Sequence, residues 1–252
     1  MRPLNLIFLG TAGAGKSSLT ATFGGWIEQH TEQKVAYVNL DPGCEFIPFN
    51  PDFDIRKYFT VAKIMEDEKL GPNGAMVRAS ELFEENAPEF SKNVNALEAD
   101  VRLVDTPGQL EVFLFHGGRE VVSAMNGTTI SLFLLDAKLA VDPGGLTFTG
   151  LLNLAIGLKL GTPTVAILNK VDLVGDALAK IDGMLSNPEV LKNEVLKEKF
   201  GVAADVVLSL ADVLHNFLPP ARVVKVSAKT GEGLSPLYDV IHEVFCTCGD
   251  LT

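Results

Sequence analysis

The sequence predicts an α/β fold, doubly wound about a mostly parallel sheet, and three observations carry that prediction. Short runs nearly continuous in Val, Ile and Leu recur along the 252 residues, the pattern of strands covered by helices on both faces. Segments long enough for crossover helices separate these runs. Hydrophobic residues make up 47% of the chain and charged residues 21%, enough apolar surface for a sizeable core and too much for a disordered chain.

Taken in order, the first run, residues 4–9, follows Met1-Arg2-Pro3 and looks briefly like the apolar part of a signal peptide. Gly10 then opens a glycine-rich stretch where a cleavage site would be needed, so the run is read as a buried strand. Further strands are expected at 35–40, 101–104, 130–135, 164–168 and 223–226. Residues 79–99 read as a helical hairpin or a broken helix, because Pro88 must interrupt or restart it. Residues 177–217 read as two or three helices inserted before the last strand and closed by Leu218-Pro219-Pro220. Their apolar side chains, Leu191, Val195, Phe200, Val207 and Leu214 among them, are expected to form a local core, with a groove for an apolar peptide as the alternative. The chain is read as one domain, 1–252, carrying these two insertions.

Charge and cysteine usage narrow the function classes. Lys and Arg number 21 against 32 Asp and Glu, a net charge of −11. That balance argues against a direct nucleic-acid partner, since such binding draws on Lys and Arg at phosphates. No stretch approaches the roughly 18 uncharged apolar residues of a membrane span. The three cysteines, Cys44, Cys246 and Cys248, are too few and too badly spaced for a disulfide framework, so a cytoplasmic location is the default. Cys246, Cys248 and His242 offer three soft ligands, one short of a closed zinc site, and are read as part of a structural tail.

Gly10-Thr11-Ala12-Gly13-Ala14-Gly15-Lys16-Ser17 follows the first run and precedes a helical pattern opening at Ser17-Ser18. The spacing Gly, four residues, Gly-Lys-Ser arises by chance in a chain of this composition on the order of one time in a hundred. The glycines let backbone N–H groups curl around phosphate oxygens, and the helix N-terminus adds partial positive charge. Gly13, Ala14, Gly15 and Ser18 belong to this cradle. Lys16 supplies a full charge to the β- and γ-phosphates, and Ser17 offers its hydroxyl to Mg²⁺. The site is one for a nucleoside triphosphate.

Asp105-Thr106-Pro107-Gly108 ends the third run. Asp-x-x-Gly alone is a common turn. After a phosphate loop and a buried strand, Asp105 reads as a carboxylate serving Mg²⁺, and the Gly108 N–H as one that can approach a γ-phosphate. Asn169-Lys170-Val171-Asp172 ends the fifth run. The Asp172 carboxylate can accept from guanine N1–H and the 2-amino group, whereas adenine would leave it unpaired. Asn169 ties base and loops together, and the Lys170 stem can lie over the ring. Ser227-Ala228-Lys229, after the last run, suits a loop presenting a backbone N–H to guanine O6. These signals select GTP over ATP.

This set resembles the phosphate-loop GTPases over nearly the whole chain. Gly71-Pro72-Asn73-Gly74, a turn signal if read alone, lies here between Asn39-Leu40-Asp41-Pro42-Gly43 and Asp105-Thr106-Pro107-Gly108-Gln109-Leu110-Glu111. With the ending Cys246-Thr247-Cys248-Gly249-Asp250-Leu251-Thr252, the sequence resembles the GPN-loop GTPases, in particular archaeal-type members. The resemblance implies a homodimer in which Gly71, Pro72 and Asn73 of each subunit reach the partner's nucleotide in trans. It places Asp41 at the attacking water and near Mg²⁺, with Gln109 orienting the water and Glu111 behind it. Thr11 stands where some relatives carry a lysine finger, so Asn73 would substitute with a neutral amide. Family likeness also implies a nucleotide-driven switch that assembles large complexes around a protein client the sequence does not name. Two other classes are weighed: a nucleotide-gated client-binding module with negligible turnover, and an ATP-driven partition- or delivery-type ATPase, which Asp172 disfavours.

Overall fold

Every strand of the computed structural model, which describes residues 2–197, 202–218 and 223–249, runs parallel to its neighbours. In chain order they are Leu4–Gly10 (β1), Val35–Asn39 (β2), Phe53–Asp54 (β3), Val101–Asp105 (β4), Thr128–Asp136 (β5), Thr164–Asn169 (β6) and Val223–Val226 (β7). They lie side by side in the order β3-β2-β4-β1-β5-β6-β7. The helices are Lys16–His30 (α1), Val61–Glu68 (α2), Pro72–Asn95 (α3), Leu110–Phe115 (α4), Gly118–Ala124 (α5), Ala137–Ala140 (α6), Pro143–Leu160 (α7), Ala177–Ser186 (α8), Pro188–Lys197 (α9), Val202–Phe217 (α10) and Leu234–Gly249 (α11).

Alternation along the buried strands feeds two cores. In β1, Leu4, Leu6 and Phe8 point to one face, where Leu19, Phe23 and Ile27 of α1 and Ile241 of α11 cover them. Ile7 and Leu9 point to the other, toward Phe83 and Phe90 of α3, Val121 of α5 and Ile156 of α7. Period-two side-chain placement is what makes a continuous apolar run serve both layers. The doubly wound prediction holds, with every strand pair parallel.

Two local expectations are corrected. The strand at the sheet edge, β3, was not foreseen, since a pair of residues carries no periodicity. It is defined by its pairing, Val38 opposite Phe53 and Asn39 opposite Asp54. The region expected to be a hairpin or broken helix at 79–99 is one continuous helix from Pro72 to Asn95. Pro88 faces solvent within it, while Phe83, Ala87, Phe90, Ser91 and Val94 are buried on either side. A mid-helix proline costs about 3 kcal/mol, and burying two phenylalanines offsets that at about 1.5–3 kcal/mol each. Gly71, Pro72 and Asn73 are therefore the N-cap and first turn of α3, not an isolated turn; Pro72 suits this place because its fixed φ is already helical and no N–H is needed there.

The two or three helices expected at 177–217 are α8, α9 and α10, with Leu191, Val195, Val207, Ala211, Leu214 and Leu218 buried beside α7. Gly150 of α7 admits this packing: a β-carbon there would fall 2.8 Å from Leu214 Cδ2. Phe200, Pro219, Pro220 and residues 250–252 lie outside the described residues. Among the described residues no helix is long and apolar enough to cross a membrane.

Candidate functional site

Loops after β1, β2, β4, β6 and β7 gather at the carboxyl-terminal edge of the sheet, the edge at which parallel α/β sheets take ligands. The first runs from Gly10 into α1, whose first residue is Lys16. Gly13 and Gly15 adopt left-handed backbone, φ 77° and 94°. At Gly15 space demands glycine as well, because a β-carbon would sit 2.5 Å from Asn169 Nδ2. Lys16 is buried, and its Nζ donates to the Gly10 carbonyl at 3.0 Å and the Thr11 carbonyl at 3.4 Å. Burial lowers its pKa, while Asp105 and Asp41 act in the opposite sense. Ser17 is half-buried and Ser18 exposed in the first turn of the helix.

Asp105 closes β4. It is 1% exposed, and neither carboxylate oxygen has a hydrogen-bond partner. Burial pushes its pKa up to about 7, against the opposing pull of the nearby Ser17 hydroxyl and the Lys16 charge. Orphaned oxygens at that depth are costly unless a hard cation or proton completes them. Mg²⁺ fits this donor set, since it takes one or two carboxylates, a hydroxyl, water and substrate phosphate in preference to an all-protein cage. Among the described residues no cluster of three or more His, Cys, Asp or Glu side chains is arranged to hold a metal.

Asp41 is held differently. Its Oδ1 accepts from Gly43 N at 2.8 Å and its Oδ2 from Gly108 N at 3.1 Å, so it joins the loops after β2 and β4. Burial raises its pKa, and the two N–H groups, Lys16 and Arg56 counter the rise. Asp105 is thus the carboxylate with unpartnered oxygens, and the Gly108 N–H expected to face a phosphate is bonded to Asp41. Gln109, the N-cap of α4, and Glu111, in its first turn, are exposed.

A cavity of about 440 Å³ opens on the other side of the phosphate loop, lined by Gly15, Ser18, Asn169, Lys170, Asp172, Leu173, Ala228 and Lys229. Asn169 knits its walls together, donating from Nδ2 to the Ala14 carbonyl at 2.8 Å and accepting at Oδ1 from Ala228 N at 3.2 Å. Ser227 Oγ donates to Asp172 Oδ1 at 2.7 Å, orienting the carboxylate while Asp172 stays exposed to the cavity. Lys170 takes left-handed backbone, φ 67°, unusual for a residue with a β-carbon. Its Nζ reaches the Gly13 carbonyl and Asp136 Oδ2, both at 2.6 Å.

The structure therefore brings Gly13, Ala14, Gly15, Lys16, Ser17, Ser18, Asp41, Asp105 and Gly108 to one end of the site and Asn169, Lys170, Asp172, Ser227, Ala228 and Lys229 to the other. Gly71, Pro72 and Asn73 are exposed at the start of α3. Met76, one turn further into α3, neighbours the loop after β2, since a β-carbon on Gly43 would lie 3.9 Å from Met76 Cε. Sequence reasoning missed four supports: Asp136 on Lys170, Thr106 Oγ1 donating to the Phe8 carbonyl at 2.7 Å, Thr22 Oγ1 donating to the Ala228 carbonyl at 2.9 Å, and the group Asn39, Asp54 and Arg56. Only Asp136 left a readable signal, an acidic residue ending an apolar run. Cys44 is a half-buried free thiol near Asp41, raised in pKa by burial.

Residues 8–247 match a family model described as "Conserved hypothetical ATP binding protein". The chain is 36% identical to GPN-loop GTPase PAB0955 of Pyrococcus abyssi, across 98% of this chain and 99% of that protein. It is 29% identical to GPN-loop GTPase 1 of Dictyostelium discoideum over 95% of its own length, spanning 61% of that longer relative. The apo crystal structure of PAB0955 resembles it with a TM-score of 0.87 at 34% identity, covering 97% of this chain and 98% of that one. On that likeness in sequence and in structure, the chain belongs to the GPN-loop GTPases.

Proposed function

We propose that this chain is a Mg²⁺-dependent enzyme that hydrolyses GTP to GDP and phosphate as a homodimer, and that the cycle drives assembly of protein complexes. The observation that carries this reading is the convergence of Lys16 with the half-buried carboxylate of Asp41 and the buried one of Asp105 at the mouth of the phosphate loop. Lys16 binds the β- and γ-phosphates. Ser17 and Asp105 are the residues to hold Mg²⁺, which when bound neutralises phosphate charge. A terminal phosphate that takes the Gly108 N–H takes it from Asp41, freeing a carboxylate oxygen to receive a proton from the attacking water. Gln109 orients that water, with Glu111 behind it. Asn73 from the second subunit offers an amide dipole to charge developing in the transition state.

At the base, Asp172 pairs with two guanine donors. Adenine supplies neither, which supports GTP over the ATP named in the family description. Thr11 carries no charge, so the cycle lacks a cation finger at that position and suits a slow, switch-like turnover. The client is a protein or an assembling multi-subunit complex, met in the cytoplasm.

Hydrolysis should separate from binding. Alanine at Asp41, Gln109 or Asn73 is expected to cut kcat by roughly 10- to 1000-fold while GDP affinity stays within about threefold. Phosphate release at saturating GTP and calorimetric titration with GDP measure the two quantities. Removing Mg²⁺ with EDTA should stop phosphate release, and restoring Mg²⁺ should restart it. Equal losses of GDP binding and kcat in the three variants would contradict the assigned roles.

A further inference from the structure

We infer that Asp54 and Arg56 are positioning residues for hydrolysis, which with Asn39 latch the loop of residues 41–46 so that Asp41 is held at the phosphate end of the site. The inference rests on the reading that Asp41 handles the attacking water.

Sheet register starts the latch. In the two-residue strand β3, Asp54 lies directly opposite Asn39 of β2, and cross-strand neighbours on one face are close enough to bond. Asn39 Nδ2 donates to Asp54 Oδ1 at 2.9 Å. The other end of the same amide, Asn39 Oδ1, accepts from the Asp41 backbone N–H at 3.0 Å. Asp54 is 7% exposed, and a carboxylate at that depth needs a cation. Arg56 supplies it with a fork: Nε donates to Oδ1 at 3.0 Å and Nη2 to Oδ2 at 2.7 Å. The remaining nitrogen, Nη1, donates to the carbonyls of Cys44 at 3.2 Å and Glu45 at 3.3 Å.

An unbroken path therefore runs from the Cys44 and Glu45 carbonyls through Arg56, Asp54 and Asn39 to the backbone of Asp41. Both ends of the path lie on one loop, so the network clamps that loop against the sheet edge. Without Arg56 the Cys44 and Glu45 carbonyls would turn to water, and Phe46, next along the chain, is 80% exposed, so the anchoring of this stretch beyond the Val61 N–H bond to the Pro42 carbonyl falls to the guanidinium. A planar guanidinium can bind a carboxylate bidentately and still reach two carbonyls; a lysine ammonium cannot do both. Neither Asp54 nor Arg56 bonds the Asp41 carboxylate itself. Their effect is on where that carboxylate stands.

The test compares Arg56→Ala, Arg56→Lys and Asp54→Asn with Asp41→Ala in the full chain. The readouts are kcat and KM for GTP, GDP affinity, affinity for GDP with aluminium fluoride as a mimic of the transferring phosphoryl group, and thermal midpoint. The latch predicts that Arg56→Ala and Asp54→Asn lose about 10- to 100-fold in kcat and in affinity for the mimic, with KM and GDP affinity within about threefold. Arg56→Lys should be as slow as Arg56→Ala, and low-millimolar guanidinium should restore part of the turnover of Arg56→Ala only. A folded Arg56→Ala protein with parental kcat, beside a slow Asp41→Ala, overturns the latch and leaves the role of Asp41 standing. GDP affinity falling in step with kcat in all three latch variants also overturns it, as general disruption of the site. Unchanged turnover in Asp41→Ala removes the role of Asp41, and the latch with it.

Discussion

Lys16→Ala is expected to abolish tight nucleotide binding and hydrolysis while leaving the fold intact. The substitution removes the only full positive charge of the phosphate loop but none of its backbone N–H groups, whose shape is set by Gly13 and Gly15 in left-handed conformation. Truncating one partner of a desolvated charge pair costs at least about 2–5 kcal/mol, a loss of roughly 30- to 5000-fold in affinity. The folded protein should tolerate the change. Burial already disfavours the charged amine, and its bonds go to two backbone carbonyls of its own loop, Gly10 and Thr11. Calorimetry with GDP and GTP reads the affinity, and circular dichroism reads the fold. Normal turnover by a folded Lys16→Ala protein would remove the phosphate site.

Asp172→Asn is expected to weaken GTP binding by at least ~3 kcal/mol and to improve xanthosine triphosphate relative to GTP. Ser227 Oγ donates to one carboxylate oxygen at 2.7 Å, so an amide in this place keeps its oxygen toward Ser227 and turns its NH₂ toward the base. That NH₂ opposes the guanine N1–H and 2-amino donors, whereas the 2-oxo group of xanthine can accept from it. Competition binding with the two nucleotides measures the switch. GTP affinity equal to that of the parent would contradict a guanine-reading role for Asp172.

The parts of this molecule legible in its sequence are those whose physics is local. Strands such as β1 announce themselves because both faces are buried, which forces a run of apolar residues broken only by the buried Asn5. The phosphate loop, the Asp105–Gly108 turn and the Asn169–Asp172 turn are legible because each packs its chemistry into a few adjacent residues at a strand end. Partners brought together by register or distant loops are not. Asn39 and Asp54 are 15 residues apart, Thr22 and the Ala228 carbonyl 206 apart, and nothing in either segment alone points to the other. Proline misled in both directions at α3: Pro88 reads as a break yet sits in a helix held by buried phenylalanines, and Pro72 reads as a turn yet starts that helix. Local propensity lost to tertiary packing in the first case; in the second, the same fixed φ that suits proline to a β-turn suits it to a first helical turn.

Completion of the hydrolytic site by a second copy of the chain, as proposed, is open to a subunit-mixing experiment. One subunit carries Lys16→Ala and keeps an intact α3 start; the other carries Asn73→Ala and keeps an intact phosphate loop. Asn73 stands exposed at the first turn of α3, and Met76, one turn on, neighbours Gly43 of the loop after β2 in the same chain, so action in cis is the live alternative. If Asn73 acts in trans, each mixed dimer contains one complete site, and mixing should restore a substantial part of the GTP hydrolysis that neither variant shows alone. Absence of recovery in demonstrably mixed dimers, or a protein that stays monomeric with every nucleotide, would contradict the claim.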